Sequence, residues 1–305
     1  MTLTDRTRTV ARITAVDLLL YATMVLVWGS TYFFTAIALR GFAPMALVSA
    51  RMAIAALMLC GLVCIKRVPL PSRRVAMQLF ALGICNVAIP FTLLTIVQTH
   101  LPSTLMSVLS ATTPIFTFLI AGLVIRAEQV TVSRAVGIGL AFVGVACMHP
   151  PQGGGGWIWP LAAAAAMLVF AIGNIANNRY LAGVDPLLIA AGQITTGALV
   201  SAPLAILEGH PIGRPGWAPV AALIELGLLA SALCYLLYFR SIQRLGSTVT
   251  SFSTFMQQPI GLALGVWVLG ETITAQQWAA LGAILTGLAI FTSGATLAPL
   301  LRRPS

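Results

Sequence analysis

Two neighbouring glutamines interrupt an apolar stretch of the chain that is long enough to cross a membrane. Gln257 and Gln258 stand beside Pro259 in the segment STFMQQPIGLALGV, residues 253–266. Amide groups near the centre of a bilayer need hydrogen-bonding partners or water, because hydrocarbon supplies neither. The chemistry that they offer is neutral hydrogen bonding to a polar solute. The pair therefore predicts a water-accessible cavity on this face of the helix.

Small and polar residues recur every three or four positions around the glutamines, which places them along one helix face. This stripe contains Ser247, Thr250, Ser251, Thr254, Gln257, Gln258, Gly261 and Gly265. An earlier stretch repeats it with Ser103, Ser107, Ser110, Thr113, Thr117 and Ala121. Tight helix packing is the alternative, since Gly261-x-x-x-Gly265 is a close-contact spacing. The two glutamines favour the cavity.

Further residues are predicted to line the same cavity from neighbouring spans. With the two stripes they give a substrate-binding set of Trp28, Ser30, Tyr32, Asn86, Ser110, Thr113, Asn174, Ser231, Tyr235, Thr254, Gln257 and Gln258. Each aromatic residue is also compatible with packing or with an anchor at the membrane interface. Pro114, Pro259 and Gly261 are expected flex points, because a proline removes one helix hydrogen bond and lets the helix bend.

The elements that position these residues are membrane-spanning helices. Of the 305 residues, 59% are hydrophobic and only 8% are charged, with a mean hydropathy of +0.97. Such a composition excludes a soluble domain, in which about 25% of residues are charged. Ten apolar runs are each long enough to cross a hydrocarbon core of about 30 Å. They cover 17–38, 44–65, 75–98, 102–124, 131–149, 157–178, 186–207, 218–239, 247–269 and 274–297.

The distribution of Lys and Arg predicts the orientation, because positively charged loops stay cytoplasmic. With the N-terminus inside, fourteen of these residues lie on the inner side and two, Arg40 and Arg214, on the outer side. Both termini are therefore expected in the cytoplasm. The net charge of +10 reflects this topology, and no basic run is interleaved with aromatic residues as a nucleic-acid site would need.

The chain also repeats itself. Pro114 and Pro259 are 145 positions apart, and so are Gly137 and Gly282. Arg51 follows Pro44 by seven positions, as Gln193 follows Pro186. The halves 17–150 and 157–297 are thus predicted to be five-helix repeats. Because five is odd, the second repeat must enter the membrane inverted, an architecture in which transporters bind substrate at the midplane between repeats.

These features together resemble the EamA family of the drug/metabolite transporter superfamily. The resemblance rests on the repeated five-helix unit, WGST at 28–31, Arg51, the two span prolines and LGETITAQQWAALG at 269–282. It implies a ten-helix inner-membrane carrier that exports amino acids and other small metabolites. The first repeat departs from the pattern, because Arg126 occupies the slot that matches Glu271 and Glu128 is displaced by two positions.

The expected function is export of small zwitterionic or amphiphilic metabolites by alternating access around the midplane cavity. A channel-like pore and an intramembrane enzyme are the alternatives. A channel would need a selectivity filter or a ring of like charges, and an enzyme would need converging catalytic groups that the spans do not offer. No cofactor and no metal site are expected. The partners are a small-molecule substrate and the lipid bilayer, with a monomer as the functional unit in a bacterial inner membrane and the oligomeric state left open.

Two charged residues, Arg51 and Glu225, lie inside predicted spans and away from their ends. Arg51 is seven positions in from the outer start of the second span, and Glu225 is seven in from that of the eighth. Since a lone charge in hydrocarbon is costly, this equal depth suggests an ion pair or a shared outer vestibule that gates the transporter. The alternative is that both side chains snorkel to the outer headgroups.

Overall fold

The computed structural model describes residues 14–110, 112–120, 135–137, 139–140, 143–144, 157–209 and 215–301. None of these residues is in a β-strand, so the described chain is all-helical. Six stretches are long and apolar enough to cross a membrane: Ala15–Ala38, Pro44–Ile65, Arg73–Gln98, Ile158–Asn177, Pro186–Glu208 and Trp217–Tyr238. They match the first, second, third, sixth, seventh and eighth predicted spans. The count of ten and the side of each terminus stay predictions.

The helices follow one another along the described chain with two π-helical segments inserted. They are α1 Ala15–Gly29, α2 Thr31–Ala38, α3 Pro44–Ile65, α4 Arg73–Gly83, π1 Ile84–Ala88, α5 Ile89–Gln98, α6 Ser103–Ser110, α7 Thr113–Leu119, α8 Ile158–Tyr180, α9 Pro186–Glu208, α10 Trp217–Ile224, π2 Glu225–Leu233, α11 Cys234–Trp267 and α12 Ala275–Leu301. The predicted fourth span is thus described as two short helices, α6 and α7. Most of the predicted fifth span lies outside the described residues.

Local sequence explains where several helices begin. Before α1, Thr14 and Asp17 form a capping box, in which each side chain accepts a hydrogen bond from the other's backbone N–H. Before α9, the Asp185 carboxylate accepts from the backbone N–H of Leu187 at 2.8 Å. Pro186 then occupies the first helical position, where its missing N–H has no intrahelical role.

Helices α3 and α9 pack side by side in opposite directions. At one end, the carboxylate of Glu208 accepts hydrogen bonds from the backbone N–H groups of Met45 at 3.0 Å and Ala46 at 3.3 Å. At the other end, Val63 and Leu187 belong to one buried apolar cluster. The end of α9 therefore lies at the start of α3, as two antiparallel helices require.

The segment from π2 through α11 reverses direction, although α11 is helical over its whole length. The carbonyl of Ala230 accepts a hydrogen bond from Trp28. Thirty residues later, the side chain of Ile260 lies 2.9 Å from where a Cβ on Gly29 would stand. A straight helix of that length would be about 45 Å long, whereas Trp28 and Gly29 are adjacent. The chain must therefore turn back between these points.

Apolar side chains point outward over much of the surface, while polar ones are enclosed. Leu57, Ile206 and Trp267 are exposed by 77%, 79% and 83%, as side chains facing lipid would be. Asn86 and Gln193 are each only 1% exposed. This distribution of apolar and polar side chains is opposite to that of a soluble domain.

Candidate functional site

A buried hydrogen bond joins Arg51 of α3 to Ser231 of π2. The Arg51 Nε donates to the Ser231 Oγ at 2.7 Å, and both side chains are at least 96% buried. The guanidinium carbon lies 4.7 Å from the centre of the Phe91 ring, within the range of a cation–π contact. Helix α3 packs closely here, because a Cβ on Gly227 would lie 2.7 Å from the Ile54 side chain. The cation is thus held from two sides.

A second buried polar contact joins Asn86 of π1 to Gln193 of α9. The Asn86 Nδ2 donates to the Gln193 Oε1 at 3.1 Å, and the Gln193 Nε2 donates to the Asn177 Oδ1 at 2.6 Å. The side-chain oxygen of Asn86, Oδ1, is buried and has no hydrogen-bond partner. It lies against Gly173, where a Cβ would come within 2.0 Å of it. Three amides from three helices therefore form one network.

These two contacts occupy matching slots in the sequence. Arg51 and Gln193 each follow a proline by seven positions, and Asn86 and Ser231 are 145 positions apart. The latter two also lie in the two π-helical segments. A π turn widens the helix and is frequent at functional sites. Each contact connects the first half of the chain to the second.

Trp28 and Tyr235 pack against each other beside π2, and their role in lining a cavity stays a prediction. The Trp28 Nε1 donates to the carbonyl of Ala230 at 2.8 Å. Its ring meets Tyr235 edge-on at 5.9 Å between centroids and Tyr238 at 5.3 Å. The hydrogen bond fixes the indole, so that its ring has one orientation toward the two tyrosines.

A third polar group links the two predicted stripes. The Gln258 Nε2 of α11 donates to the Ser110 Oγ of α6 at 3.2 Å. The Gln98 amide donates to the backbone carbonyl of Tyr32. Gln258 is 2% exposed and Tyr32 is half-buried. One residue of each predicted stripe, Gln258 and Ser110, thus meets the other in this structure.

Comparison with known proteins follows the same two halves. A model of the EamA-like transporter family matches residues 16–149 and again residues 157–293. The chain belongs to the EamA-like transporter family. It is therefore a membrane transporter, and the resemblance inferred from the sequence motifs is confirmed.

Named relatives of this transporter are distant. It is 22% identical to the "Uncharacterized inner membrane transporter YedA" of Escherichia coli (strain K12) over 279 residues. This alignment covers 90% of each chain. It is 27% identical over 177 residues to a "Probable terminal-alkyne amino-acid exporter" of Streptantibioticus cattleyicolor, covering 57% of this chain and 59% of that one. A crystal structure with 19% identity shares the fold at a TM-score of 0.68, over 95% of this chain and 100% of the other.

Two predicted site residues of the transporter, Ser30 and Thr113, donate hydrogen bonds to carbonyls three positions earlier in the chain. Ser30 donates to the carbonyl of Val27 in its own helix at 2.9 Å. Thr113 donates to the carbonyl of Ser110 and contacts the sulfur of Met167 at 3.0 Å. The Ser30 bond therefore stays within the first half of the chain, whereas the Met167 contact joins Thr113 to the second half.

The other predicted positions are placed as follows. Asn174 and Gln257 are half-buried, and the Gln257 carbonyl packs against Gly29, where a Cβ would lie at 3.0 Å. Pro259 lies within α11, with an exposed side chain. The side chains of Pro114 and Thr254 lie outside the described ones. Whether any of these positions flexes or binds substrate stays a prediction.

Arg51 and Glu225, predicted at equal depth, form no ion pair with each other among the described contacts. The direct partner of Arg51 is Ser231. The Glu225 Oε2 is buried and has no hydrogen-bond partner. The gating role of the pair stays a prediction.

Glu271 has a role in this transporter that the sequence did not indicate. Its carboxylate accepts from the backbone N–H and the hydroxyl of Ser103 and from the backbone N–H of Thr104, each at 2.8 Å. It therefore caps the first turn of α6 from the other half of the chain, where the helix dipole favours an anion. Gly265 leaves room for this cap, since a Cβ there would lie 2.9 Å from the carboxylate.

Proposed function

We propose that this transporter exports small zwitterionic or amphiphilic metabolites, amino acids among them, from a bacterial cytoplasm across the inner membrane. In this proposal two inverted five-helix repeats, 17–150 and 157–297, rock about a shared midplane site that opens alternately to each side. Such repeats place their substrate site where the halves meet. A monomer is the functional unit.

The observation that carries the proposal is the matched pair of contacts between the halves. Arg51 bonds Ser231, and Asn86 bonds Gln193, so each half contributes one member to each contact. Buried polar groups are costly inside a membrane protein unless they are hydrogen-bonded, and ionisable residues within membrane spans often mark a substrate pathway. Two such contacts in repeat-related slots support a substrate site between the repeats.

The chemistry of the enclosed groups supports the substrate class. Amides and hydroxyls predominate around Asn86, Gln193 and Gln258, so most contacts to a solute would be neutral hydrogen bonds. A polyanion such as a sugar phosphate would need several buried cations. The relative named as a terminal-alkyne amino-acid exporter supports an amino-acid-like solute, and the relative named as an inner membrane transporter supports the location.

Counterflow in liposomes tests the proposal. Purified protein is reconstituted into vesicles preloaded with one unlabelled amino acid, and uptake of the labelled form is followed for each of a panel. We expect saturable, accelerated exchange for a subset of neutral amino acids, and repeating the assay under imposed pH gradients would reveal proton coupling. Flux that does not saturate and shows no exchange would indicate a channel, and absence of any amino-acid flux would reject the proposed substrate class.

A further inference from the structure

Arg51 is a buried cation whose hydrogen-bonding capacity is mostly unused. Its side chain is 4% exposed. Among the described residues, the only hydrogen bond that it donates runs from Nε to the Ser231 hydroxyl. A guanidinium carries five N–H donors, so the four on the two terminal nitrogens have no described acceptor. Burying a charge at this depth is costly without a partner.

No carboxylate among the described residues forms a direct ion pair with this cation. Glu225 lies within electrostatic range of Arg51 but makes no ion pair with it. The two terminal nitrogens are also not fully enclosed. The Glu225 Oε2 and the Asn86 Oδ1 are both fully buried without a hydrogen-bond partner, whereas the Arg51 terminal nitrogens are not. The guanidinium fork therefore keeps a small accessible space beside it, although the whole side chain is only 4% exposed.

The surroundings orient the fork toward that space. Ser231 holds Nε at 2.7 Å, and the Phe91 ring lies 4.7 Å from the guanidinium carbon. With one edge and one face occupied, the edge formed by the two terminal nitrogens remains available. Two parallel N–H groups of this kind match the two oxygens of a carboxylate.

The repeat-related slot lacks a comparable group. Gln193, which corresponds to Arg51, is a neutral amide already bonded to Asn86 and Asn177. Only one of the two matched contacts can therefore attract an anion. An asymmetric pair of this kind would give a bound solute a single orientation, with its anionic end toward α3.

We propose that Arg51 binds the carboxylate of the transported solute through its two terminal nitrogens, with Ser231 and Phe91 as positioning residues. The proposal rests on the proposed transport function and deepens it, because it assigns the carboxylate a specific ligand. Other parts of a zwitterionic solute would meet the neutral amides and hydroxyls.

Ligand-dependent thermal stability tests this assignment without knowledge of the natural solute. The purified full-length protein is titrated in detergent with sodium butyrate, and separately with butyramide, at ionic strength held constant with sodium chloride. We expect butyrate to raise the unfolding temperature and butyramide, which lacks the charge, to have little effect. R51Q should raise the half-maximal butyrate concentration about tenfold or more, as the loss of a charge-assisted contact implies.

Three variants complete the design. R40Q removes one charge from an exposed arginine and should leave the butyrate effect unchanged. R51K keeps the positive charge but lacks the two parallel N–H groups, so it should retain part of the butyrate effect. S231A keeps the cation but frees Nε, so it should weaken butyrate binding severalfold while leaving butyramide unaffected, and it provides the result if R51Q does not fold.

The outcomes separate this inference from the proposed function. Equal stabilisation by butyrate in the wild type, R51Q and S231A would overturn it. Restoration of wild-type transport by adding E225Q to R51Q would also overturn it, because that result would assign Arg51 and Glu225 to a gate. An Arg51-dependent butyrate effect in a protein that exchanges no amino acid would reject the proposed substrate class and leave the carboxylate site standing.

Discussion

Arg51 and Ser231 are joined across the two halves of the chain by a hydrogen bond of 2.7 Å. The corresponding slots are filled by Gln193 and Asn86, which form the same kind of contact at 3.1 Å. Since each bond connects one half to the other, a relative motion of the halves would have to alter both. The two contacts thus mark the place where binding and motion would be coupled.

The Asn86–Gln193 bond is expected to stabilise the fold by a measurable amount. Replacing either residue by Ala should destabilise the protein, and the two losses should not add, with a coupling of about 1 kcal/mol, as for one buried hydrogen bond. Unfolding of N86A, Q193A and the double variant in mixed SDS micelles gives this coupling. The pair N86A and E271A, which share no contact, is the control and should be additive. Additive losses for the first pair would contradict the bond.

Transport should depend on the enclosed amides more than insertion does. Asn86→Leu and Gln257→Leu remove hydrogen-bonding groups from the predicted cavity and are expected to abolish counterflow while the protein still reaches the membrane. The checks are exchange in liposomes and the amount of protein in the membrane fraction. Leu57→Ala, at a position 77% exposed, is the control and should transport normally. Normal transport by both leucine variants would remove these residues from the site.

Repetition in the sequence predicted the matched slots but not the contacts between them. The 145-position offset relates Asn86 to Ser231, and the proline spacing relates Arg51 to Gln193. Offsets show which positions are equivalent, whereas contacts depend on how one half packs against the other. Gln193 was therefore recognised as the counterpart of Arg51 without being predicted as a site residue, and Asn177 and Phe91 carried no signal beyond their place in apolar runs.

The π-helical segments and the Glu271 cap lay beyond what the sequence could predict. A π segment as short as Ile84–Ala88 changes the helical period over about one turn, too few residues for a periodic pattern to register. The cap joins residues 168 positions apart, and the departure at Arg126 gave no reason to expect it. By contrast, the membrane class and six spans followed from hydropathy, which depends on local composition alone, and the family followed from the order and duplication of motifs.

Glu271 is expected to stabilise the start of α6. Glu271→Ala leaves the backbone N–H of Ser103 and that of Thr104 without their acceptor, which should cost about 0.5–2 kcal/mol, the range for a lost helix cap. Thermal unfolding in detergent measures the effect. Thr272→Ala, at the adjacent exposed position, should change the unfolding temperature little. If both variants unfold at the wild-type temperature, the cap does not contribute to stability.

Gly261 distinguishes close packing from flexibility as the reason for glycine in the second stripe. A Cβ there would lie 2.1 Å from the Ser107 Oγ, which is closer than real Cβ atoms come to their neighbours. It would also lie 3.0 Å from the carbonyl of Gly29. Gly261→Ala should therefore destabilise the protein by about 1–3 kcal/mol, the usual cost of overpacking. Gly282→Ala is the control, because a Cβ at that position would meet nothing within 4 Å.

A second substitution separates the two explanations. If packing against Ser107 is the cause, Ser107→Gly should recover much of the unfolding temperature that Gly261→Ala loses, because it removes the nearest clashing atom. If Gly261 is needed as a flex point, the double variant should regain stability but still show slow exchange in liposomes. Wild-type stability of Gly261→Ala alone would mean that α6 and α11 are not packed as closely as Gly261 and Ser107 place them.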